Sequence, residues 1–401
     1  MRKPIIIIGI VAVFAVGLGL GGAMRTNTVQ AQREQPAAQK QLTDQDKADL
    51  KVFWEVWRLT RGNYVRKVPT EKEMMYGATS GIVESLGDKH SAFLNPEEAK
   101  LSQESMSGTF QGIGAVVELK DGVPVIKQVM PGSPAEKSGL KEDDRILAID
   151  GWKTEGKSLN ESVRHIRGLK GTPVKLMIGR EGKDDPFEVV VVRDEIRSKP
   201  VEWKVVRQNG LKIGVIKLTG FTFASMVDFQ LAALELVEQG VKAIVLDMRG
   251  NPGGLLFVSV VVASWWTGTD VVTVSKSRDG SSQEYANKRG LPLFRRIPTV
   301  VLVNKNSASA SEVVAAALQD YGYAKIVGEK TYGKGSGQTP YRLSDGSELR
   351  LTTFLWYTPK GRTIEDNGVK PDIEVKLTKE DRLAKRDPQM DRALELLSGK
   401  K

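Results

Sequence analysis

From Leu211 onward, buried-type strand runs alternate with helical patterns, and this alternation leaves the chain few architectures. LKIGVIKL (211–218), KAIVLDM (242–248), IPTVVLVN (297–304) and AKIVG (324–328) read as strands, being short, continuous and rich in β-branched residues. Helices are expected from Ser225 to Glu238, in LFVSVVVASWW (256–266), and again from Ser309. Repeated strand–helix–strand units require a parallel sheet covered by helices. Ligands of such sheets gather beyond the carboxyl ends of the strands, and Ser309 stands at one of those ends.

A chain of 401 residues exceeds one ordinary core, so several domains are expected. Residues 1–30 form a membrane anchor or a signal segment. Arg2 and Lys3 precede the uncharged residues 4–24, which are long enough to cross a bilayer. Val29-Gln30-Ala31 also fits a signal cleavage site, so both readings stay open, and under either the body is exported. Residues 31–42 read as a polar linker, and 43–102 as a helical region. There Leu50, Phe53, Trp54 and Trp57 share one helix face, expected to pack in a core, the alternative being to bind a second copy of the chain. Thr70-x-x-Glu73 is a capping box opening a second helix that stops at Gly87. Residues 103–187 are a compact, mostly β module, with a hairpin turn at Asp150-Gly151 and a short helix near 158–169. Residues 188–385 hold the α/β core and 386–401 a charged tail; LTKEDRLAKRDPQMDRALELL (377–397) reads as one charged helix, open to joining an oligomer interface. The fold class is multidomain α+β.

Composition excludes several functions. The net charge is +10, but no Lys/Arg block is interleaved with aromatics, so nucleic acid is not an expected partner. The chain has no cysteine, hence no disulfide, thiolate metal site or cysteine nucleophile. His90 and His165 are the only histidines, and neither lies near a ligand cluster. Both read as surface or helix-flank residues, and neither a metal nor a cofactor is expected. A serine hydrolase built on this chain would need another base. Gly328 to Lys334 fits the start of a phosphate loop, but Gly335 stands where Ser or Thr would hold magnesium. Hairpin strands rather than a helix follow, which rejects nucleotide binding.

Three segments carry the candidate chemistry. Ser309-Ala310-Ser311-Glu312 matches the S-x-x-E capping box, so Ser309 can be a helix cap, a nucleophile or both. Glycines 333, 335 and 337 surround Lys334. An extended backbone would put Lys334, Ser336 and Gln338 on one face, with Gln338 orienting the amine. Burial would lower the lysine pKa and make it a general base, and Ser–Lys pairs are a variant of triad logic. In Asp247-Met-Arg-Gly-Asn-Pro-Gly-Gly254, Pro252-Gly253 fits a type II turn. Such a turn either connects a strand tightly to a helix or aims amides into an oxyanion hole, with Ala310 as the second donor.

These segments, together with FWEVW, MMYGATSGIVESLGDKHSAFLNPEEA, FQGIGAVVEL, PGSPAEKSGLKEDDRILAIDG and YTPKGRTIEDNGVKPDIEV, resemble the carboxyl-terminal processing peptidases, or tail-specific proteases. The resemblance covers nearly all of the chain after residue 40. It implies an N-terminal helical region, a mostly β PDZ domain at 103–187, and an α/β, crotonase-like protease core. It implies a serine endopeptidase cleaving exported proteins near their C-termini. Ser309 would be the nucleophile, Lys334 the general base and Gln338 its positioning partner. Ala310 with Gly253 or Gly254 would form the oxyanion hole. The PDZ loop at Gly112, Ile113 and Gly114 would grip the free carboxylate of an apolar substrate C-terminus. Arg164 and Arg167 would read that carboxylate, contact the protease or simply be solvated. Peptide binding there would present substrate or help switch the protease on. A homo-oligomer and an activating or adaptor protein complete the expected partners. The rival reading, a silent PDZ scaffold, is opposed by the intact Ser309, Lys334 and Gln338.

Overall fold

The computed structural model describes residues 44–197 and 199–399. The anchor or signal expected at 1–30 and the linker at 31–42 lie outside the described residues, among which no helix is long and apolar enough to cross a membrane. The chain forms two compact units that divide at Met75/Tyr76.

The first unit holds helix α1 (Asp44–Asn63) and the start of α2 (Glu71–Glu84). The capping box of α2 forms as expected. The Glu73 amide donates to Thr70 Oγ1 at 3.2 Å, and Glu73 Oε2 accepts the Thr70 amide at 2.7 Å. The aromatic stripe of α1 departs from expectation. Phe53 and Trp54 are 37% and 52% exposed, stacked edge to face on each other rather than sunk in a core. Periodicity located the apolar face, but a periodic face does not specify what covers it.

In the second unit, strand β1 (Ala92–Leu94) leads into helix α3 (Pro96–Ser107). Asn95 caps α3, accepting the Glu97 and Glu98 amides at 3.0 Å. The β module follows with β2 (Thr109–Gly112), β3 (Ala115–Lys120), β4 (Val123–Val129), helix α4 (Pro134–Lys137), β5 (Arg145–Ile149), β6 (Trp152–Lys153), helix α5 (Leu159–Ile166), β7 (Pro173–Gly179), β8 (Phe187–Val192) and β9 (Asp194–Arg197). Its main sheet runs β3-β4-β5-β7-β8 over a core of Ile126, Ile146, Ile149, Leu176 and Ile178. Asp150 and Gly151 both take positive φ, 49° and 82°, as a type I′ hairpin requires. Strands β2 and β9 pair with each other where the chain enters and leaves the module.

The α/β core contains β10 (Val201–Gln208), β11 (Leu211–Leu218), helix α6 (Phe223–Glu238), β12 (Ala243–Asp247), helix α7 (Leu256–Thr267), β13 (Thr273–Ser277), β14 (Ser282–Tyr285), β15 (Thr299–Val303), helix α8 (Ala310–Tyr321), β16 (Lys325–Gly328), β17 (Ser336–Arg342), β18 (Glu348–Tyr357), β19 (Ile373–Glu374) and helices α9 (Lys379–Leu383) and α10 (Pro388–Leu397). Its sheet is ordered β10-β11-β12-β15-β16-β19, parallel from β11 onward. Strands β12 and β15 are buried throughout, which explains their unbroken apolar runs. Helices α6, α7 and α8 cover one face, with Phe229, Trp266 and Val314 in the core. Helix α10 covers the other, with Ala393 fully buried. The single charged helix read in 377–397 is therefore two, and the second is part of the core. A separate antiparallel sheet, β1-β18-β13-β14 with β17 beside β18, carries the segment after Lys334.

Candidate active site

Strands β12 and β15 are parallel neighbours, so their C-terminal loops emerge side by side. One loop is Arg249–Gly254 and the other leads to Ser309. The outer serines of SASAS stitch the loops together: Ser307 Oγ donates to the Met248 carbonyl at 2.8 Å, and Ser311 Oγ to the Asn251 carbonyl at 2.9 Å. The middle one differs. Ser309 takes φ 54° and ψ −116°, a region an L-residue enters only under constraint. One half of the capping box forms, with Glu312 Oε2 accepting the Ser309 amide at 2.8 Å. The Glu312 amide bonds the Ser309 carbonyl oxygen at 2.8 Å, and the hydroxyl itself makes no cap hydrogen bond. The Ser309 hydroxyl is thereby left free of structural duty among the described residues.

The glycine turn packs directly on this serine. A Cβ on Gly253 would stand 2.8 Å from Ser309 Cβ and 3.0 Å from the Ala310 nitrogen. Gly254 has φ 143°, and a Cβ there would fall 2.2 Å from the Phe221 carbonyl oxygen, so only glycine fits. The Gly253 amide is occupied, donating to Asn251 Oδ1 at 2.9 Å. The amides of Gly254 and of Ala310, the first residue of α8, donate no hydrogen bond among the described residues. Of the two glycines, Gly254 is the one with an amide to offer an oxyanion. Beside the turn, Phe223 and Phe257 are 51% and 43% exposed with ring centroids 5.3 Å apart.

Lys334 lies in the loop before β17. Its amide donates to the same Glu312 Oε2 at 2.9 Å, while Glu312 Oε1 accepts the Thr331 hydroxyl and the Gly333 amide. Gly335 lets the chain pass against Glu365, whose amide nitrogen a Cβ would meet at 2.1 Å. Burial pushes the Lys334 pKa down, against the opposing pull of the Glu365 and Asp88 carboxylates; Arg350 adds to the lowering. The Ser309 hydroxyl and the Lys334 amine form no hydrogen bond among the described residues. Such contacts are often long until substrate closes a site.

Two sequence expectations change here. Lys334 lies outside the strand, and the β17–β18 register slips between Gly337 and Gln338, so the simple alternation that aligned Gln338 with Lys334 is broken. Gln338 Nε2 instead donates to Thr352 Oγ1 at 3.0 Å. His90, read as a surface histidine, is half-buried and faces the Lys334 charge; burial and that charge lower its pKa. Its approach depends on β1 pairing with β18, a long-range contact with no local signature. His165 stacks on Trp152 in the β module, 4.1 Å between ring centroids.

In that module, the Ile113 and Gly114 carbonyls accept from Ala135 and Met130, while their amides donate to nothing among the described residues. The Arg167 guanidinium lies over the Phe110 ring, 5.0 Å from its centroid, and its side chain packs beside Gly112. Arg164, Arg167, Gln111 and Glu104 line a cavity of about 160 Å³ beside this loop.

The fold and site define a serine peptidase with an α/β core that carries a PDZ domain. The PDZ domain family matches residues 102–179, and peptidase family S41 matches residues 212–375. The carboxy-terminal processing protease CtpB of Bacillus subtilis (strain 168) is 34% identical over 376 residues, covering 92% of this chain and 78% of its own length. CtpA of the same organism is 36% identical over 319 residues, covering 79% of this chain and 67% of its own. The chain spans about two thirds of the length of CtpA and of the similar CtpA-like proteins of Staphylococcus aureus. Among solved structures, a photosystem II D1 C-terminal processing protease aligns with TM-score 0.53 and 30% identity over 80% of this chain and 86% of that one. This chain belongs to peptidase family S41, among the carboxy-terminal processing proteases.

Proposed function

We propose that this protein is a serine endopeptidase working through Ser309 and Lys334 on exported proteins, near their C-termini. The observation that carries this reading is the shared oxygen of Glu312, which ties the backbones of the two residues together beside two undonated amides. Lys334 in its neutral form, which burial favours, takes the Ser309 proton as the hydroxyl attacks the peptide carbonyl. The Gly254 and Ala310 amides hold the oxyanion. The ammonium returns a proton to the leaving amine, and water then releases the acyl group by the same route. Gln338 orients the lysine. The exposed Phe223–Phe257 pair offers an apolar wall beside the scissile bond.

The PDZ domain reads the substrate's free C-terminus. The undonated Ile113 and Gly114 amides suit a carboxylate, and Arg167 adds positive charge beside them. Residues 1–30, as a membrane anchor or a cleaved signal, direct the body to the outer side of a membrane.

The test is mass spectrometry of an unstructured polypeptide with an apolar free C-terminus, incubated with the full chain, Ser309→Ala or Lys334→Ala. An amidated copy of the polypeptide runs alongside. Fragments from the parent alone, and fewer from the amidated copy, support the reading. Fragments that survive both substitutions overturn the dyad, and equal cleavage of both polypeptides overturns carboxylate reading.

A further inference from the structure

Strands β14 and β15 are joined by ANKRGLPLFRRIP (286–298), and no acidic residue occurs between Glu284 and Glu312. The two leucines of this loop face solvent, Leu291 being 70% exposed and Leu293 45%. Lys288, Arg289 and Arg296 flank them, exposed and with no side-chain hydrogen bond or ion pair among the described residues. The tip is pinned from both sides. Phe294 is fully buried, its ring centroid 5.3 and 5.1 Å from those of Trp265 and Trp266, and its amide donates to the Trp265 carbonyl at 2.8 Å. Arg295 Nε donates to the Trp266 carbonyl at 3.0 Å, and Nη2 pairs with Asp270 at 2.7 Å. Asn287 Nδ2 donates to Ser264 Oγ at 3.0 Å, and a Cβ on Gly290 would fall 2.2 Å from the Gly268 carbonyl oxygen. The Leu293 amide closes the tip on the Leu291 carbonyl at 2.8 Å.

A single exposed leucine is ordinary, but two on a fixed tip inside a basic rim make an amphipathic surface. Tyrosines stand beside it, as at membrane interfaces. The Arg295 guanidinium lies 5.3 Å from the centroid of the Tyr323 ring, which stacks on the partly exposed Tyr321 at 5.4 Å. The place of the loop in the fold is equally specific. It is pinned to the last turn of α7, whose first residue, Leu256, follows Gly254 by two positions; the 12 residues of that helix span about 18 Å. Strand β15 starts at Thr299, just after the loop, and Ser309 lies beyond the other end of that strand. The loop and Ser309 therefore occupy opposite ends of the parallel sheet.

We propose that loop 286–298 docks on an anionic phospholipid surface: Leu291 and Leu293 enter the headgroup layer, while Lys288, Arg289 and Arg296 meet lipid phosphates. Docking there turns Ser309 away from the bilayer, open to exported polypeptides. A lipid surface fits better than a protein partner. One loop tip offers far less than the ~800 Å² per partner of a stable protein interface, whereas apolar side chains with a few cations suffice at a membrane that already holds the chain nearby. The proposal rests on the reading that residues 1–30 direct the body to the outer side of a membrane.

The chain has no cysteine, so one introduced thiol carries a label at a single place. The full chain is prepared as Leu291→Cys, as Tyr332→Cys near Lys334, and as Leu119→Cys on the PDZ strand β3, all exposed positions. Each carries an environment-sensitive dye and is reconstituted with vesicles of phosphatidylcholine alone or of phosphatidylcholine with phosphatidylglycerol, some bearing a quencher on the lipid. The dye at 291 should shift to the blue and be quenched on the anionic vesicles, and much less on the neutral ones. The dyes at 332 and 119 should stay aqueous, which also controls for the dye's own affinity for lipid. Changing Lys288, Arg289 and Arg296 together to Gln should lower the docked-to-free ratio about a hundredfold, about fivefold per cation. Leu293→Ser should lower it about tenfold. A chain that floats with the vesicles while the dye at 291 stays aqueous would overturn the loop proposal and spare the membrane reading. A chain that floats with neither vesicle would overturn both. Equal docking on both vesicles would overturn recognition of anionic lipid, and quenching at 332 as strong as at 291 would overturn the orientation. A dye at 291 that shifts only when an acidic polypeptide is added would assign the loop to a protein partner instead.

Discussion

The amides of Ser309 and Lys334 converge on a single atom: Glu312 Oε2 accepts the first at 2.8 Å and the second at 2.9 Å. With Thr331 and Gly333 on Oε1, four donors fill a carboxylate that is wholly buried. It braces the strained backbone of Ser309 against the loop that carries Lys334. Glu312→Gln replaces one acceptor oxygen by an NH2 group facing two N–H donors. Each stranded buried donor costs about 1–3 kcal/mol, so about 2–6 kcal/mol should be lost from a stability of ~5–15 kcal/mol. Urea unfolding measures the loss, and kcat per folded molecule should fall with it. A variant of parental stability and kcat would show that the bracing is dispensable.

The depressed pKa of Lys334 predicts the sign of two pH effects. On the proposed mechanism Lys334 works as a neutral base, so activity should rise with pH through the lysine's pKa in the enzyme and fall away below it. Glu365→Gln keeps an oxygen for the Gly335 amide, bonded at 2.6 Å, but removes a charge that favours the ammonium. Its rising limb should sit at lower pH than the parent's. For stability, the unfolded chain binds the lysine proton more tightly than the folded one, so folding is penalised below the folded pKa and the penalty fades as pH rises toward the unfolded value. Lys334→Met should therefore melt higher than the parent near neutrality, with the gap closing toward pH 10.5. A gap that stays constant with pH would exclude this origin.

Much of this site could be read from the residues because it is local. Ser309 and Glu312 share one helical turn, and Gly253-Gly254 announce a turn that no side chain could occupy. The parallel sheet was legible because β12 and β15 are buried on both faces and so lack polar alternation. What escaped is set by long-range pairing. Nothing near Asp88 or His90 signals that β1 will join β18 and deliver them to Lys334, and one bulge at Gly337/Gln338 undoes an inference from alternation. The exposed Phe53 and Trp54 show the same limit, since periodicity finds an apolar face but not its cover.

The undonated amide of Ala310 makes a specific prediction. Replacing Ala310 by lactic acid turns that amide into an ester, deleting one N–H while keeping the methyl group and nearly all of the shape. No helical hydrogen bond is lost, because Ala310 is the first residue of α8 and its N–H has no partner within the helix. Losing one oxyanion donor should lower kcat by ~10²–10³-fold, with KM and melting temperature near parental values. An ester variant of parental kcat would remove Ala310 from the oxyanion hole.

The last helix bears on the same loop. Arg249, four residues before Gly253, is clamped between two carboxylates. Its Nη2 donates to Asp247 at 2.7 Å and to Asp387 at 2.8 Å, and Nη1 reaches Gln389 at 3.0 Å. Asp387 also caps α10 by accepting the Met390 amide at 3.0 Å. Burial opposes the charge of Asp387, but the Arg249 guanidinium and the amides at the start of α10 hold its pKa below the usual carboxylate range. A carboxyl depressed by folding stabilises the fold above its unfolded pKa of 3.8, and that stabilisation is lost as pH falls through the folded value. Asp387→Asn should therefore cost about 1 kcal/mol at neutral pH, a low figure because the Asp387 side chain is 40% exposed and screened by solvent. The cost should shrink as acid titrates the parent's carboxylate. If α10 supports the oxyanion loop, kcat should drop along with stability. A variant that loses stability at full kcat would confine α10 to holding the sheet.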